Sequence, residues 1–230
     1  MQKLKILVLG RNKKSVVLVN KLINNYKNLI ISKKPEVIIS LGGDGTYLFN
    51  ERKCQNIPKV LVRDNSICNL CSIYDLDNIN LVLEKLNNKE FEIIEQIKLE
   101  CKSLLAVNDI VIRNKYQYEA IRFNLKINNK LIEDNLIGDG VIISTPFGST
   151  GYFNSIAKRN IISGIGLALN NVNRKETHLT LKNNDTIKFK LLRSKALISA
   201  DNNKKVINLN ENDEVVIKQS KNKAKVILLK

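Results

Sequence analysis

The chain is poor in the residues that most often do chemistry by themselves. Its 230 residues hold no tryptophan, one histidine, one methionine, three prolines and four cysteines. One imidazole, His178, leaves no material for chemistry that needs several, most catalytic zinc sites included. It follows Glu176-Thr177 and precedes a strand-like run, which puts it at an exposed strand edge. Aromatics are 5%, so stacking platforms for bases are scarce. The 38 Lys and Arg outnumber the 22 Asp and Glu, for a net charge of +16, yet no block of consecutive basic residues occurs. The excess is spread evenly, as a compositional habit. Nucleic acid is therefore not the expected partner, and the positive field equally suits a small phosphorylated substrate. No apolar run is long enough to span a bilayer, and no small-residue cleavage site follows the first ten residues. The expectation is a soluble cytoplasmic protein without a membrane partner.

The cysteines are Cys54, Cys68, Cys71 and Cys101. Cys68 and Cys71 form a CxxC, but Cys54 and Cys101 are no second close pair, as a structural zinc site wants. Free thiols in a reducing compartment are expected.

What is present is a globular composition, 43% apolar, in a chain long enough to bury a sizeable core. The first third alternates strand and helix. KLKILVLG reads as a strand ending at Gly10, and EVIISL and KVLVR as further strands after Pro35 and Pro58. Val16, Val19, Leu22, Ile23 and Tyr26 have helical spacing behind Ser15 as N-cap. DNINLVLEKL is a second helix, capped by Asp77 or Asn78. Such alternation implies a parallel sheet covered on both faces. From about Phe91 the period becomes two, in FEIIEQIKLE, IRFNLKINNK, DTIKFKLL, DEVVIK and AKVILL, with polar turns such as Asn128-Asn129 between runs. That pattern implies antiparallel sheet, as in a sandwich. The expected division is an α/β domain over 1–90 and a β-sandwich domain over 91–230, whose last strand has the option of returning to the first domain.

Two stretches break this pattern. PEVIISLGGDGTYLF places Gly42, Gly43, Asp44, Gly45 and Thr46 directly after a strand. Glycine turns let backbone N–H groups approach a phosphate, but a carboxylate inside one repels it. The second stretch, GDGVIISTPFGSTGYFNSIAKRN, holds Gly138, Gly140, Gly148 and Gly151 together with Ser144, Thr145, Ser149, Thr150 and Ser155. A strand feeds a Pro-Phe-Gly turn and a helix starting near Ser149 or Thr150, with more small polar residues than one cap requires.

GGDGT resembles the motif of a kinase superfamily that includes NAD kinases, diacylglycerol and sphingosine kinases and 6-phosphofructokinases. GDGVIISTPFGSTGY is similar to the NAD kinase pattern close to GDGVIxSTPTGSTAY, and LLAVNDIVI resembles that family's Asn-Glu motif. The resemblance implies a Rossmann-like α/β domain followed by a β-sandwich, with ATP- or polyphosphate-dependent phosphorylation of the adenosine 2′-hydroxyl of NAD to give NADP. It implies Mg²⁺ or another divalent metal, and a homodimer or homotetramer. Asp44 matches the acid beside the acceptor hydroxyl and would be the catalytic residue. Gly42, Gly43, Gly45 and Thr46 would face the donor phosphates. Asn108 and Asp109 match the pair binding the adenosine half of NAD, with Asp where the family usually has Glu. Asp139 matches an acid near the nicotinamide half; Thr150, Gly151, Tyr152 and Ser155 match positions lining the NAD site. Phe147 stands where the family has a small hydroxyl residue, and is placed to stack on a base or to remove a hydrogen bond. The family's Gly-Gly-Pro stretch after Ser155 is absent, and VRDNSICNLC stands for its Asn-x-Gly loop, with Arg63 offered either to phosphate or to a surface salt bridge. Asp201 is retained near the end in SADNN. The alternatives are a catalytically weak NAD(P)-binding regulator of the same fold and a diacylglycerol-type lipid kinase.

Overall fold

The structure is a computed structural model, described here for residues 2–64, 68, 71 and 74–230. The chain forms two compact units, Met1–Gln96 with Lys223–Lys230, and Ile97–Asn222.

The first unit runs β1 (Leu4–Gly10), α1 (Lys13–Ile23), β2 (Leu29–Ile31), β3 (Val37–Leu41), α2 (Asp44–Lys53), β4 (Lys59–Val62), α3 (Ile79–Asn88) and the start of β5 (Phe91–Cys101). Its sheet has the order β2-β1-β3-β4, all parallel. β3 and β4 are buried at every position, as strands covered on both faces must be. The core joins Ile6, Val8, Ile39 and Val60 of the sheet to Val19 and Ile23 of α1 and Val82, Leu83 and Leu86 of α3. The N-cap of α1 is Asn12, whose side chain accepts from Lys14 N–H; Ser15 lies inside the helix, buried, and donates its hydroxyl to Asp64 Oδ1 at 3.2 Å. Asn78 caps α3.

The second unit continues with β6 (Leu104–Ala106), β7 (Asp109–Asn114), β8 (Ile121–Ile127), β9 (Lys130–Gly138), β10 (Gly140–Ser144), α4 (Tyr152–Ala157), β11 (Ile165–Asn170), β12 (His178–Leu181), β13 (Ile187–Arg193), β14 (Ala196–Ala200), β15 (Ile207–Leu209) and most of β16 (Glu214–Leu229). One antiparallel sheet is β12-β11-β10-β7-β14-β15; in the other, β13 pairs with β8 and with β16, and β8 with β9. Their inner faces share one core, with Phe123, Leu125 and Phe189 from one sheet and Ile110, Ile112, Val141 and Leu167 from the other. This is the sandwich that the period-two runs imply. DEVVIK and AKVILL are two ends of the single strand β16, whose last part returns to the first unit, where Val226 pairs in parallel with Lys59. His178 opens the edge strand β12, but its ring is half-buried edge-on to Phe153, 6.3 Å between centroids, rather than exposed.

The cysteines depart from expectation. Cys68 and Cys71 are joined in a disulfide, and only Cys54 and Cys101 are free. The CxxC turn brings the two Cα atoms to 5.3 Å, within the range a disulfide spans. Among the described residues no helix is long and apolar enough to cross a membrane.

Candidate functional site

Each unit gathers its own share of the residues singled out by sequence. In the first, β1, β3 and β4 are adjacent parallel strands, so the segments leaving their carboxyl ends meet along one edge. Such edges are where open parallel sheets bind ligands. Arg11 and Asn12 follow β1, Gly42 to Thr46 follow β3, and Asp64 lies just beyond β4; together with Leu41 they line a cavity of about 320 Å³. GGDGT is not only a turn, because α2 begins at Asp44 with Gly43 as its cap. Gly42 has φ 151°, and a Cβ there would meet Thr46 Oγ1 at 2.5 Å, so only glycine lets the chain turn this tightly from strand into helix. The Gly42 N–H donates to Val62 O at 2.8 Å and is spent on the sheet, which removes it from the phosphate donors that the motif suggested. Asp44, half-buried, sits in the first turn of α2, where the helix dipole favours a negative charge. This resolves the apparent conflict of an acid in a phosphate-type turn: the helix end that would attract an anion also stabilises the carboxylate.

Cys68 Sγ lies 3.1 Å from Asp44 Oδ1, and Cys71 Sγ lies 3.6 Å from Gly42 O. A disulfide sulfur carries no proton to donate, so these are packing contacts. Arg63 takes the salt-bridge option. Its guanidinium, half exposed, donates to Asp75 Oδ2 at 3.0 Å and does not line the cavity. The Asp75 carboxyl is held below its usual range by the Asn78 backbone N–H first and Arg63 second. Of the loop in place of Asn-x-Gly, residues 65–67 and 69–70 lie outside the described residues.

In the second unit, a cavity of about 300 Å³ is bordered by Asp139, Tyr152 and Ser155, which sequence singled out, and by Arg113, Ser199 and Asp201, of which only Asp201 was noted in the sequence and none was assigned to a site. Alternation along β7 carries Asp109, Val111 and Arg113 on one face, so Arg113 was readable from Asp109 by period two. Tyr152 is 65% exposed, with its ring open to a ligand rather than packed in the core. Ser155 donates its hydroxyl to Tyr152 O at 2.6 Å. Asp139 accepts from Asn171 Nδ2 at 3.0 Å. The helix after the Pro-Phe-Gly turn starts at Tyr152, with Gly151 as cap, later than Ser149 or Thr150. The reason is Ser149: it is buried, donates to Pro146 O at 2.8 Å and accepts from Ile161 N–H at 3.1 Å, which fixes it in the turn. Thr150 is exposed and Phe147 half-buried, and neither borders this cavity.

Asn108 and Asp109 lie beside this cavity without bordering it, in a tight backbone lattice. Thr145 donates its hydroxyl to Val107 O at 2.5 Å and its N–H to Asn108 O at 2.8 Å. Gly148 passes so close that a Cβ would lie 2.2 Å from Asn108 Cα. Asn108 Oδ1 is buried with no hydrogen-bond partner among the described residues. A buried amide oxygen without a donor is costly, and it is an acceptor ready for one. Asp109 is 7% exposed, and its carboxyl is pushed up to about 7, by burial first and by the Asp201 charge second. Among the described residues no group of three or more His, Cys, Asp or Glu side chains is placed to hold a metal.

Comparison with known proteins agrees with these elements. Residues 107–229 match the family model of the ATP-NAD kinase C-terminal domain. An NAD kinase of Clostridium beijerinckii is 32% identical over 128 residues, 51% of this chain and 44% of that protein. A bifunctional NADP phosphatase/NAD kinase of Methanocaldococcus jannaschii is 28% identical over 198 residues, 80% of this chain and 34% of that one. An NAD kinase of Clostridium perfringens is 26% identical over 218 residues, 88% of this chain and 77% of that one. The chain spans less than half the length of the first curated relatives it matches. In fold it is similar to yeast NADH kinase complexed with NADH, with TM-score 0.86 and 15% identity over 100% of this chain and 84% of that one. It is also similar to an NAD kinase from Archaeoglobus fulgidus in complex with ATP, with TM-score 0.80 and 19% identity over 99% and 94%. With the family model matched over more than half its residues, the chain belongs to the NAD kinase family.

Proposed function

We propose that this chain is an NAD kinase, transferring a phosphoryl group from ATP or polyphosphate to the 2′-hydroxyl of the adenosine ribose of NAD to give NADP. The observation that carries this reading is the place of Asp44, at the amino end of α2 on the border of a cavity made by GGDGT.

Asp44 accepts the ribose hydroxyl's hydrogen bond, aims its oxygen at phosphorus, and takes the proton late, as the phosphoryl group arrives. A sugar hydroxyl is too weak an acid to be ionised beforehand, and a loose transition state asks mainly for position and charge stabilisation. The amino end of α2 supplies positive potential for the donor phosphates, and Arg11, on the same cavity, supplies a full charge. Asn108 offers its unpaired Oδ1 to an N–H donor of the nucleotide, and Asp109 offers its carboxyl to ribose hydroxyls. Asp139, Tyr152 and Ser155 border the cavity assigned to the rest of NAD, with the Tyr152 ring as a stacking face. A divalent ion, bound with the donor phosphates, would screen Asp44 from their charge and offset the charge that develops during transfer.

The test is to incubate the protein with NAD, Mg²⁺ and either ATP or polyphosphate, and to read NADP with an NADP-specific dehydrogenase. NADP formation with at least one donor is expected. Folded protein that binds NAD and forms none with either donor is instead the NAD(P)-binding regulator.

A further inference from the structure

We propose that Asp201 is the positioning residue of the nucleotide-binding turn, holding Asn108 and Asp109 in register through their backbone. The proposal rests on the reading that this pair binds NAD. Asp201 follows β14 with φ 49°, a left-handed conformation that a non-glycine residue adopts only at a cost. It is held there by a reciprocal lattice. Its carboxylate accepts the N–H groups of three successive residues: Val107 at 2.9 Å on Oδ2, Asn108 at 2.8 Å and Asp109 at 3.2 Å on Oδ1. Its own N–H donates to Asp109 O at 2.9 Å. From the other side, Ser144 Oγ donates to Asn108 O at 3.3 Å, beside the two Thr145 bonds. The N–H and the carbonyl of each of the three residues are thus all bonded, and charged acceptors make the stronger bonds.

Only a carboxylate offers two acceptor oxygens to three successive N–H groups, and Asp201 does so despite repulsion from Asp109. Asp201 is the charged group acting on Asp109; β10 and β14, the strands flanking β7, place Ser144 and Ala200 beside Asp109's end of the strand. It shares responsibility for the Asp109 carboxyl standing near 7, the range in which an acid changes state under ordinary conditions. Asp201 also borders the cavity with Asp139 and Tyr152. One side chain therefore holds the backbone of the pair in place and, after burial, adds to the upward push on the Asp109 carboxyl.

The test compares wild type with Asp201→Asn in NADP formation at pH 6 and pH 8, with amide hydrogen exchange read in parallel. Asp201→Asn is expected to raise KM for NAD about tenfold or more at pH 8 with kcat within about threefold. At pH 6 the ratio is smaller, because without the neighbouring charge Asp109 ionises at lower pH and part of the loss is recovered. Exchange at Val107, Asn108 and Asp109 speeds up, while Ile110 and Ile112 stay protected. Unchanged KM despite faster exchange overturns the proposal, as does an equal KM ratio at both pH values. Should Asp201→Asn fail to fold, the wild-type amides of 107–109 decide by NMR: they must shift together on one acid titration, and independent titration overturns the proposal. If wild type forms no NADP, the same ratios are read as Kd for NAD, so the kinase reading fails separately from this one. Wild type that does not bind NAD overturns both.

Discussion

Gly148→Ala is the sharpest perturbation, because one methyl group meets backbone that has nowhere to go. The new Cβ would lie 2.2 Å from Asn108 Cα and 2.5 Å from Asn108 C and Cβ, where ordinary contact begins at 3.4 Å. Relief needs more than an ångström of separation. Both partners are tied: the Gly148 N–H donates to Thr145 Oγ1 at 3.1 Å, the Gly148 carbonyl accepts from Gly151 N–H at 3.0 Å, and Asn108 is bonded through its N–H and its carbonyl. Overpacking of this kind costs about 1–3 kcal/mol. In a chain of this length that lowers Tm by about 2–12 °C. An ångström of displacement at a substrate-positioning residue costs about 10²-fold in kcat/KM. Thermal melts followed by circular dichroism and steady-state NADP formation read the two effects separately. A Gly148→Ala protein with wild-type Tm and wild-type kcat/KM would refute the close approach and with it the role given to Asn108.

Three further outcomes are expected. Lys59 and Glu51 are both buried and pair at 2.5 Å, with Lys59 Nζ also donating to Cys54 O and Ile57 O. Lys59→Ala leaves an uncompensated buried carboxylate and costs about 3–5 kcal/mol in urea unfolding, while the double change to Met recovers most of it; a single change no worse than the double contradicts a coupled pair. Asp109, with its folded pKa raised to about 7, binds a proton in the native state that the unfolded chain releases from about pH 4. Its contribution therefore falls as pH rises between those values, and Asp109→Asn should gain Tm relative to wild type from pH 5 to pH 8; a constant difference contradicts the raised value. Thiol titration of denatured protein without reductant should count two sulfhydryls, Cys54 and Cys101, and four after reduction; four at the outset contradicts the Cys68–Cys71 bond.

Regular periodicity made the frame readable, and long-range polar contacts hid the rest. β1 ends at Gly10 and α3 lies where its spacing put it, since both bury a simple apolar face. α2 was not foreseen. Its buried residues include Asn50 and Glu51 as well as Tyr47 and Leu48, so no apolar stripe marks it; those polar groups are satisfied by Ser40 and Lys59, which sequence cannot pair with them. β16 read as two runs because polar residues around Gln219 interrupt its alternation. GGDGT located a turn and an acid, but not that Gly42's amide belongs to Val62. Asp201 lies 92 residues from Asp109, and only the β7–β14 pairing brings them together. Arg11 is a plain surface arginine until the parallel order of β1 and β3 places it beside Gly42.

The role proposed for the Asp44 carboxylate is to take the hydroxyl proton during transfer. Single-turnover NADP formation at saturating ATP, Mg²⁺ and NAD compares wild type with Asp44→Asn, which keeps the shape and removes the base. The rate is expected to fall by about 10²–10⁴-fold with NAD affinity and Tm little changed. A rate within a few-fold of wild type would contradict it.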